Sequence, residues 1–203
     1  MGGRAGAWPA AVQGGLLTVV HRWVDTVPSP WRNGGGVTRE IARGVSSDAE
    51  ASEAGFDWRF SVAEVAEGGP FSSFPGVDRI LVLLSGAGID LDLEGERVEL
   101  RPPFGAHAFP GEAAVVASLV DGPTTDLNVM CRRGAWKAAV ELIEETGALG
   151  IPTGAVALVH VVEGEITLES GEVLGVGDTA ECHGPAPLRW LGGTVVAAAL
   201  QPC

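Results

Sequence analysis

Residues 80–100, ILVLLSGAGIDLDLEGERVEL, and residues 158–178, LVHVVEGEITLESGEVLGVGD, decide the fold because they carry one pattern twice. Each has an apolar strand, a glycine turn, a strand in which acidic and apolar residues alternate, and a second glycine turn before a third strand. Alternation with a period of two indicates half-buried β-strands, and glycines between such runs indicate tight turns. The repeat therefore predicts two related β-barrels in tandem.

The same alternation recurs along the whole chain, whereas helical periodicity is scarce. The 30 Gly and 13 Pro favour short strands joined by turns. We predict an all-β protein with a loop or short helix at 46–54, and a strand rather than a helix at 136–145. About fourteen strands are predicted, at 16–23, 37–42, 56–65, 79–84, 89–93, 96–100, 113–120, 126–131, 136–143, 156–162, 165–169, 179–182, 187–191 and 195–200.

Three parts of the chain follow from this pattern. Residues 1–15 have neither strand periodicity nor the apolar stretch of a signal peptide, and we predict a flexible tail. Residues 16–135 form the predicted first barrel, which holds the ligand pocket. Residues 136–203 form a second, degenerate barrel that is short for a closed structure. We therefore expect it to borrow a strand from the N-terminal segment, at 16–23.

Charge and cysteine content restrict the possible partners. Thirteen basic and 26 acidic residues give a net charge of −13, which argues against nucleic acid, since that partner requires a basic face. No apolar run reaches the roughly 18 residues of a membrane span. Cys131, Cys182 and Cys203 are an odd number with no CxxC motif, which predicts a reduced, cytoplasmic protein.

Metal and nucleophile motifs are missing from the sequence. The four histidines, His21, His107, His160 and His183, include no pair two or four residues apart. We therefore predict no metal and no other cofactor. No GxSxG elbow or recognisable Ser, His and Asp grouping is found, so no catalytic residue is assigned.

The segment 31–40, WRNGGGVTRE, gathers polar side chains around three glycines. Glycine allows positive φ and a close approach of the backbone to a ligand or to another strand. In the strand that follows, Thr38 and Glu40 share one face and Arg39 the other. The alternative interpretation is a glycine turn followed by a solvated strand.

Two further predicted strands carry rows of polar side chains that could line the interior of a barrel. Arg59 and Ser61 alternate with core residues in 56–65, although an outward, solvated arginine is an equal alternative. The segment 126–133 places Asp126, Asn128, Met130 and Arg132 on one face, which suits a pocket wall because arginine binds carboxylates in bidentate fashion. The loop 69–79 between them is stiff and aromatic, and either covers a pocket or packs against the core.

Four stretches together resemble the HutD/Ves family of double-barrel cupins: WRNGGGVTREIA, FDWRFSVAEVAEGGPFSSFPGVDRILVLLSGAGIDL, FGAHAFPGE and LVDGPTTDLNVMCRRGAW. The resemblance is dense over residues 16–136 and weak beyond. It implies a bicupin without the usual cupin metal signature, and a homodimer. It also implies a link to histidine utilisation, in which the suggested role is to bind N-formylglutamate and limit induction of the pathway.

Residues and resemblance together predict a metal-independent bicupin that binds a small acidic metabolite. The candidate ligand-binding residues are Trp31, Arg32, Asn33, Thr38, Arg39, Glu40, Arg59, Ser61, Glu64, Phe71, Arg79, Asp126, Asn128, Met130 and Arg132. One alternative is an isomerase or lyase for a small carboxylate or sugar, with Glu40, Glu64 or His107 as general base. Another is an interaction module whose polar rows form a dimer seam, since cupin barrels host many activities.

Overall fold

The computed structural model of the chain describes residues 17–185 and 187–203, and the predicted tail at 1–15 lies outside the described residues. The all-β prediction is confirmed. In chain order the strands are β1 (Leu17–His21), β2 (Pro28–Pro30), β3 (Gly36–Gly44), β4 (Trp58–Val65), β5 (Gly69–Pro70), β6 (Val77–Ser85), β7 (Ile89–Leu93), β8 (Glu96–Leu100), β9 (Ala106–Pro110), β10 (Val115–Leu119), β11 (Thr124–Arg132), β12 (Trp136–Glu144), β13 (Gly147–Leu149), β14 (Val156–Glu163), β15 (Ile166–Leu168), β16 (Val173–Leu174), β17 (Thr179–His183), β18 (Leu188–Leu191) and β19 (Thr194–Pro202).

Helical structure in the described residues is limited to two single turns. A 3₁₀ turn spans Trp23–Asp25, and a short helix, α1, spans Ser47–Glu50 inside the region predicted as loop or helix. Ser46 begins α1 because its side chain accepts a hydrogen bond from the Ala49 amide at 3.2 Å. Neither turn is long and apolar enough to cross a membrane.

The first unit consists of two facing antiparallel sheets. One has the strand order β2-β3-β4-β11-β6-β9 and the other the order β5-β10-β7-β8. Between them lies an apolar core that includes Leu81 and Leu83 of β6 and Ile89 and Leu91 of β7, all at most 1 % exposed. These side chains fill one part of the interior and leave the wall around β4 and β11 for polar residues.

The second unit repeats this arrangement with a sheet of order β1-β17-β14-β19-β12 facing one of order β13-β18-β15-β16. The N-terminal strand β1 lies at one edge of the first of these sheets and pairs with β17, from Leu17 opposite His183 to His21 opposite Thr179. Between these sheets lies an apolar core that contains Trp190, which is fully buried. A Cβ at Gly147 would overlap the Trp190 indole, so glycine is required there.

A shared apolar layer joins the two units. Phe60 of β4 and Leu127 and Val129 of β11 pack against Leu158 of β14 and Leu200 of β19. The strands β4 and β11 are therefore buried on both faces, one against the second unit and one toward the interior of the first. This double burial holds in place the wall that carries the polar rows.

Asp178 fastens the segment after β1 to the second unit. Its Oδ1 accepts the Trp23 amide at 2.9 Å, and its Oδ2 accepts Arg22 Nη1 at 2.8 Å and the Gly175 amide at 3.1 Å. Burial opposes ionisation of Asp178, but the hydrogen bonds from Trp23, Arg22 and Gly175 hold its pKa below the usual value. Its contribution to stability is thus present above pH 4 and is lost as the pH falls through the folded pKa.

Asp178→Asn is expected to lower the free energy of unfolding by about 1.5–3 kcal/mol at pH 7, because hydrogen bonds to a charged group are lost. The difference from the unsubstituted protein should begin to shrink below pH 4, because the Asp178 carboxylate of the unfolded chain then takes up a proton while that of the folded protein is still ionised. Urea titrations at pH 7 and at pH 3.5 measure both effects. Asp121→Asn, at an exposed bend, is the matched control. Equal losses for the two variants at pH 7 would contradict this role of Asp178.

Candidate ligand-binding cavity

A cavity of about 430 Å³ lies in the first unit, beside the doubly buried strands. Its volume falls in the range of sites for small metabolites. Strands β3, β4, β6 and β11 and the loops after β2 and β5 supply its walls. The lining residues are Pro30, Trp31, Arg32, Asn33, Thr38, Arg59, Ser61, Ala63, Pro70, Phe71, Ser72, Phe74, Arg79, Asp126 and Asn128.

A chain of three buried polar side chains crosses two of these strands. Arg79 Nη2 on β6 donates to Asn128 Oδ1 on β11 at 2.6 Å, and Asn128 Nδ2 donates to Asp126 Oδ1 at 2.6 Å. The exposed fractions are 5 % for Arg79, 7 % for Asn128 and 2 % for Asp126. Asn128 therefore links Arg79 to Asp126 through the two ends of its amide, and Arg79 makes no direct hydrogen bond to Asp126.

Arg79 is the buried cation of the cavity, and its donors are incompletely used. Its guanidinium carbon lies 5.1 Å from the Phe71 ring centroid, 5.5 Å from that of Phe74 and 5.0 Å from that of Phe109. Nε has no partner among the described residues, and Nη1 reaches only the Ser72 carbonyl, at 3.4 Å. Burial lowers the pKa of Arg79 to about 10, so it is still charged at neutral pH.

Asp126 is the one carboxyl group among the residues that line the cavity. Burial raises its pKa to about 7, although the charge of Arg79 and the hydrogen bond from Asn128 act in the opposite direction. Its Oδ1 accepts from Asn128, and no hydrogen bond to its Oδ2 is made by the residues that the structure describes. At neutral pH the group is therefore divided between its neutral and ionised forms.

The rim of the cavity is built by the turn after β2 and by Arg59. Trp31 Nε1 donates to Thr38 Oγ1 at 2.8 Å, and Arg59 Nε donates to Glu40 at 2.7 Å. A Cβ at Gly36 would lie 2.6 Å from the Glu64 carbonyl oxygen, so this glycine lets the turn pack closely on β4. The close approach at Gly36 is thus to another strand.

Ten of the fifteen candidate residues from the sequence line this cavity. They are Trp31, Arg32, Asn33, Thr38, Arg59, Ser61, Phe71, Arg79, Asp126 and Asn128. Ala63 also lines the cavity although it was not among the candidates. It shares a face of β4 with Arg59 and Ser61, so the period of two could have identified it. Pro30, Pro70, Ser72 and Phe74 also line the cavity from loops and strand ends, where alternation gives no signal.

Three charged candidates near the rim do not line the cavity because they pair elsewhere. Arg39 donates to Glu64 at 3.0 Å and to the Thr26 carbonyl at 2.7 Å, and its guanidinium stacks on the Trp23 ring at 4.6 Å. Glu64 is held outside by the same ion pair. Glu40 borders the site only through its contact with Arg59.

Met130 and Arg132 extend the row of Asn128 but leave the cavity. Met130 is buried in a separate cluster with Phe56 and Val77. Arg132 donates to Asp57 at 2.6 Å, on the far side of that cluster from Asn128 along the strand. The polar row thus contributes to the cavity only at its first two positions, Asp126 and Asn128.

The second unit lacks a comparable polar interior in its described residues. His160, its buried histidine, has Nδ1 2.8 Å from Thr179 Oγ1 and lies edge-on to Phe60 at 6.0 Å. Burial lowers the pKa of His160 to about 4, so it is neutral and serves the contact between the units. Within residues 17–185 and 187–203, no group of three or more His, Cys, Asp or Glu side chains is placed to hold a metal ion.

Comparisons with known proteins agree with this architecture. The HutD family model matches residues 24–197. The "uncharacterized 21.2 kDa protein in hutC 3'region" of Pseudomonas putida is 35 % identical over 161 residues, covering 76 % of this chain and 81 % of that protein. Protein Ves of Citrobacter koseri is 36 % identical over 158 residues, covering 75 % of each.

Solved structures give the same result. HutD from Pseudomonas fluorescens SBW25, determined in a formate condition, is 32 % identical with a TM-score of 0.81, covering 92 % of this chain and 100 % of that chain. A cupin 2 conserved barrel domain protein from Leptotrichia buccalis shares the fold alone, at 8 % identity and a TM-score of 0.55, over 83 % and 89 % of the two chains. These likenesses confirm the cupin-type barrels, and the matched residues and identities show that the chain belongs to the HutD family.

Proposed function

We propose that the protein binds a small carboxylate metabolite in the cavity of its first barrel, without a metal, and acts as a sensor or buffer of that metabolite. The observation that supports the proposal is the set of unused hydrogen-bond donors on the buried Arg79 guanidinium. A buried guanidinium with an unused Nε and a long Nη1 contact is an incomplete site. A ligand carboxylate supplies the acceptors that this cation lacks.

The local charge of the cavity supports an anionic ligand despite the net charge of −13. Arg32, Arg59 and Arg79 line the cavity, whereas Asp126 is its one lining carboxyl group. Arg59 forms an ion pair with Glu40 at the rim. Arg79 has no direct carboxylate contact among the described residues. A small acid therefore meets a positive site on an otherwise acidic protein.

The names of the relatives favour an acid from histidine utilisation. One relative is encoded in the hutC 3' region of Pseudomonas putida, and a solved relative is named HutD. N-formylglutamate has two carboxylates for Arg79 and Arg59, and a formamide that the Ser61 and Thr38 hydroxyls can hydrogen-bond. We propose it as the first ligand to test.

The residues suggested for an isomerase or lyase are poorly placed for catalysis in this cavity. Glu40 and Glu64 pair with arginines, and His107 stacks on Phe109 at a centroid distance of 6.2 Å. None of the three lines the cavity. The alternative enzyme would therefore have to use Asp126, and turnover lost in Asp126→Asn would be its sign.

A reducing, cytoplasmic location is part of the proposal. Cys131 and Cys182 are free and buried, and burial raises the pKa of the Cys131 thiol to about 12. Such thiols are inert packing groups and need no oxidising compartment. The homodimer implied by the family resemblance stays a prediction.

Thermal unfolding of metal-stripped protein tests the proposal. The protein is heated with N-formylglutamate, glutarate, histidine or urocanate, and in separate runs with divalent metals. A ligand at about 100 times its Kd stabilises the fold by about 2.7 kcal/mol. We expect a rise in Tm of roughly 5–10 °C for at least one carboxylate. Glutaramide, which has the shape of glutarate without its charges, is the matched control and should give no shift. Shifts produced only by divalent metals, or equally by glutaramide, would contradict the proposal.

A further inference from the structure

Asp126 occupies an unusual position for a carboxyl group in a site that attracts anions. It lies on β11, between β4 and β6, with Ala63 and Leu83 as its neighbours across the strands. These apolar neighbours exclude water from two sides. Asp126 lines the cavity, and its Oδ2 accepts no hydrogen bond from the described residues, so a bound molecule can be the partner of that oxygen.

Few charged groups face Asp126 from the surrounding elements. Arg79 faces it from β6 through Asn128. Arg59 is farther away, because it lies opposite Met130 on β4 and is paired with Glu40 of β3. Arg32 contributes from the exposed turn after β2. On the strand of Asp126 the same face carries the neutral Asn128 and Met130 and, farther along, Arg132, which is paired with Asp57. When Asp126 is ionised, the buried part of the site holds one positive and one negative charge.

A ligand carboxylate adds a second negative charge to that same buried volume. Two carboxylates that share one site cannot both remain ionised at little cost, and one of them takes up a proton. Asp126 is the group that takes up this proton most readily, because burial already raises its pKa to about 7. Once neutral, it offers an O–H donor on Oδ2, while Oδ1 continues to accept from Asn128.

We propose that the cavity takes its carboxylate ligand together with one proton, which Asp126 carries on Oδ2 and shares with a ligand oxygen. This inference rests on the proposed function and deepens it by naming a residue that determines specificity. The proton comes from solvent, and no covalent bond is formed or broken in the ligand. The site therefore selects an acid that presents an acceptor oxygen to Asp126 while its charge is met by Arg79.

Affinity should then depend on pH in one direction only. Below pH 6.5 Asp126 is mostly neutral and the affinity is constant. Above pH 7 each further pH unit weakens binding about tenfold, because the proton has to be taken from a more dilute source. Between pH 6 and pH 8.5 we expect the Kd to rise roughly 30-fold, while Arg79 stays charged throughout that range.

Calorimetric titration with N-formylglutamate, and with glutarate as a second probe, tests this at pH 6, 7.5 and 8.5. At each pH the titration is repeated in two cationic amine buffers that hold that pH and differ in ionisation enthalpy, because the difference in heat reveals proton transfer. We expect uptake approaching one proton at pH 8.5 and almost none at pH 6. Infrared difference spectra at pH 8.5 should show a carboxylate band replaced by a carboxylic acid band when the probe is added.

Asp126→Asn is the decisive variant because its amide mimics the protonated group. It keeps an oxygen for Asn128 and presents N–H donors in place of Oδ2. We expect an affinity that is independent of pH and, at pH 8.5, about 30-fold tighter than that of the unsubstituted protein. Asp90→Asn, on β7 and paired with Arg97 and Arg101, should keep the original pH profile.

The outcomes separate this inference from the proposed function. Binding without proton uptake, or unchanged uptake in Asp126→Asn, would overturn the role of Asp126 and leave carboxylate binding intact. No binding of either probe by either protein between pH 6 and pH 8.5 would overturn both. If Asp126→Asn does not fold, the two-buffer titrations and the infrared spectra of the unsubstituted protein decide the matter on their own.

Discussion

Replacing Arg79 with methionine is expected to weaken carboxylate binding at least 100-fold, equivalent to about 2.8 kcal/mol. Arg79 is the buried cation of the cavity, and truncating one partner of a buried charge pair commonly costs 2–5 kcal/mol. Methionine can fill the space among Phe71, Phe74 and Phe109 because its thioether packs well on aromatic rings. Asp126 can lose its charge by protonation, so the variant should fold.

The measurement is a calorimetric titration at pH 6 with the carboxylate that gives the largest thermal shift. Arg97→Gln is the matched control, because Arg97 is an exposed arginine that pairs with Asp90 and Glu99 on the surface of the first unit. The control should keep the original affinity. An Arg79→Met variant that is folded and binds within threefold of the unsubstituted protein would contradict the assignment of the site.

Replacing Trp190 with alanine is expected to lower the free energy of unfolding by about 3–5 kcal/mol, the usual range for a buried aromatic residue truncated to alanine. Trp190 is fully buried in the apolar interior of the second unit, where it packs closely against Gly147. Removing its indole leaves a cavity that the surrounding strands cannot close without breaking their pairing.

Urea-induced unfolding measures this loss, and Trp190→Phe is its control. The Trp190 Nε1 is buried without a hydrogen-bond partner among the described residues, so phenylalanine removes no hydrogen bond. Trp190→Phe should therefore retain most of the stability, and Trp190→Ala should bind carboxylates normally below its own Tm. A loss under 1 kcal/mol in the alanine variant would show that the second unit is not held by this core.

The structure confirms the fourteen strands that sequence periodicity predicted. The five further strands, β2, β5, β9, β13 and β16, all lie at the edge of a sheet. Edge strands pair on one side only and tolerate proline, which β2, β5 and β9 contain. All but β9 are also only two or three residues long, which is too short to show alternation, whereas the longer edge strands β1, β8 and β12 were predicted.

The side chains of the cavity were predictable where a strand keeps its alternation. Arg59 and Ser61 share a face of β4, and Asp126 and Asn128 share a face of β11, as a period of two requires. The pairing of Arg39 with Glu64 and of Arg132 with Asp57 could not be read from the sequence. Partners 25 and 75 residues away decide those orientations, and only the fold brings them together.

A crystal structure of the protein with N-formylglutamate, grown at pH 6, tests carboxylate binding most directly. We expect one ligand carboxylate within hydrogen-bond distance of the Arg79 guanidinium and of Asp126 Oδ2, with the other end of the ligand toward Arg59 and the rim. Ligand density outside the cavity, or ligand inside it that leaves Arg79 without a new acceptor, would contradict the proposed function.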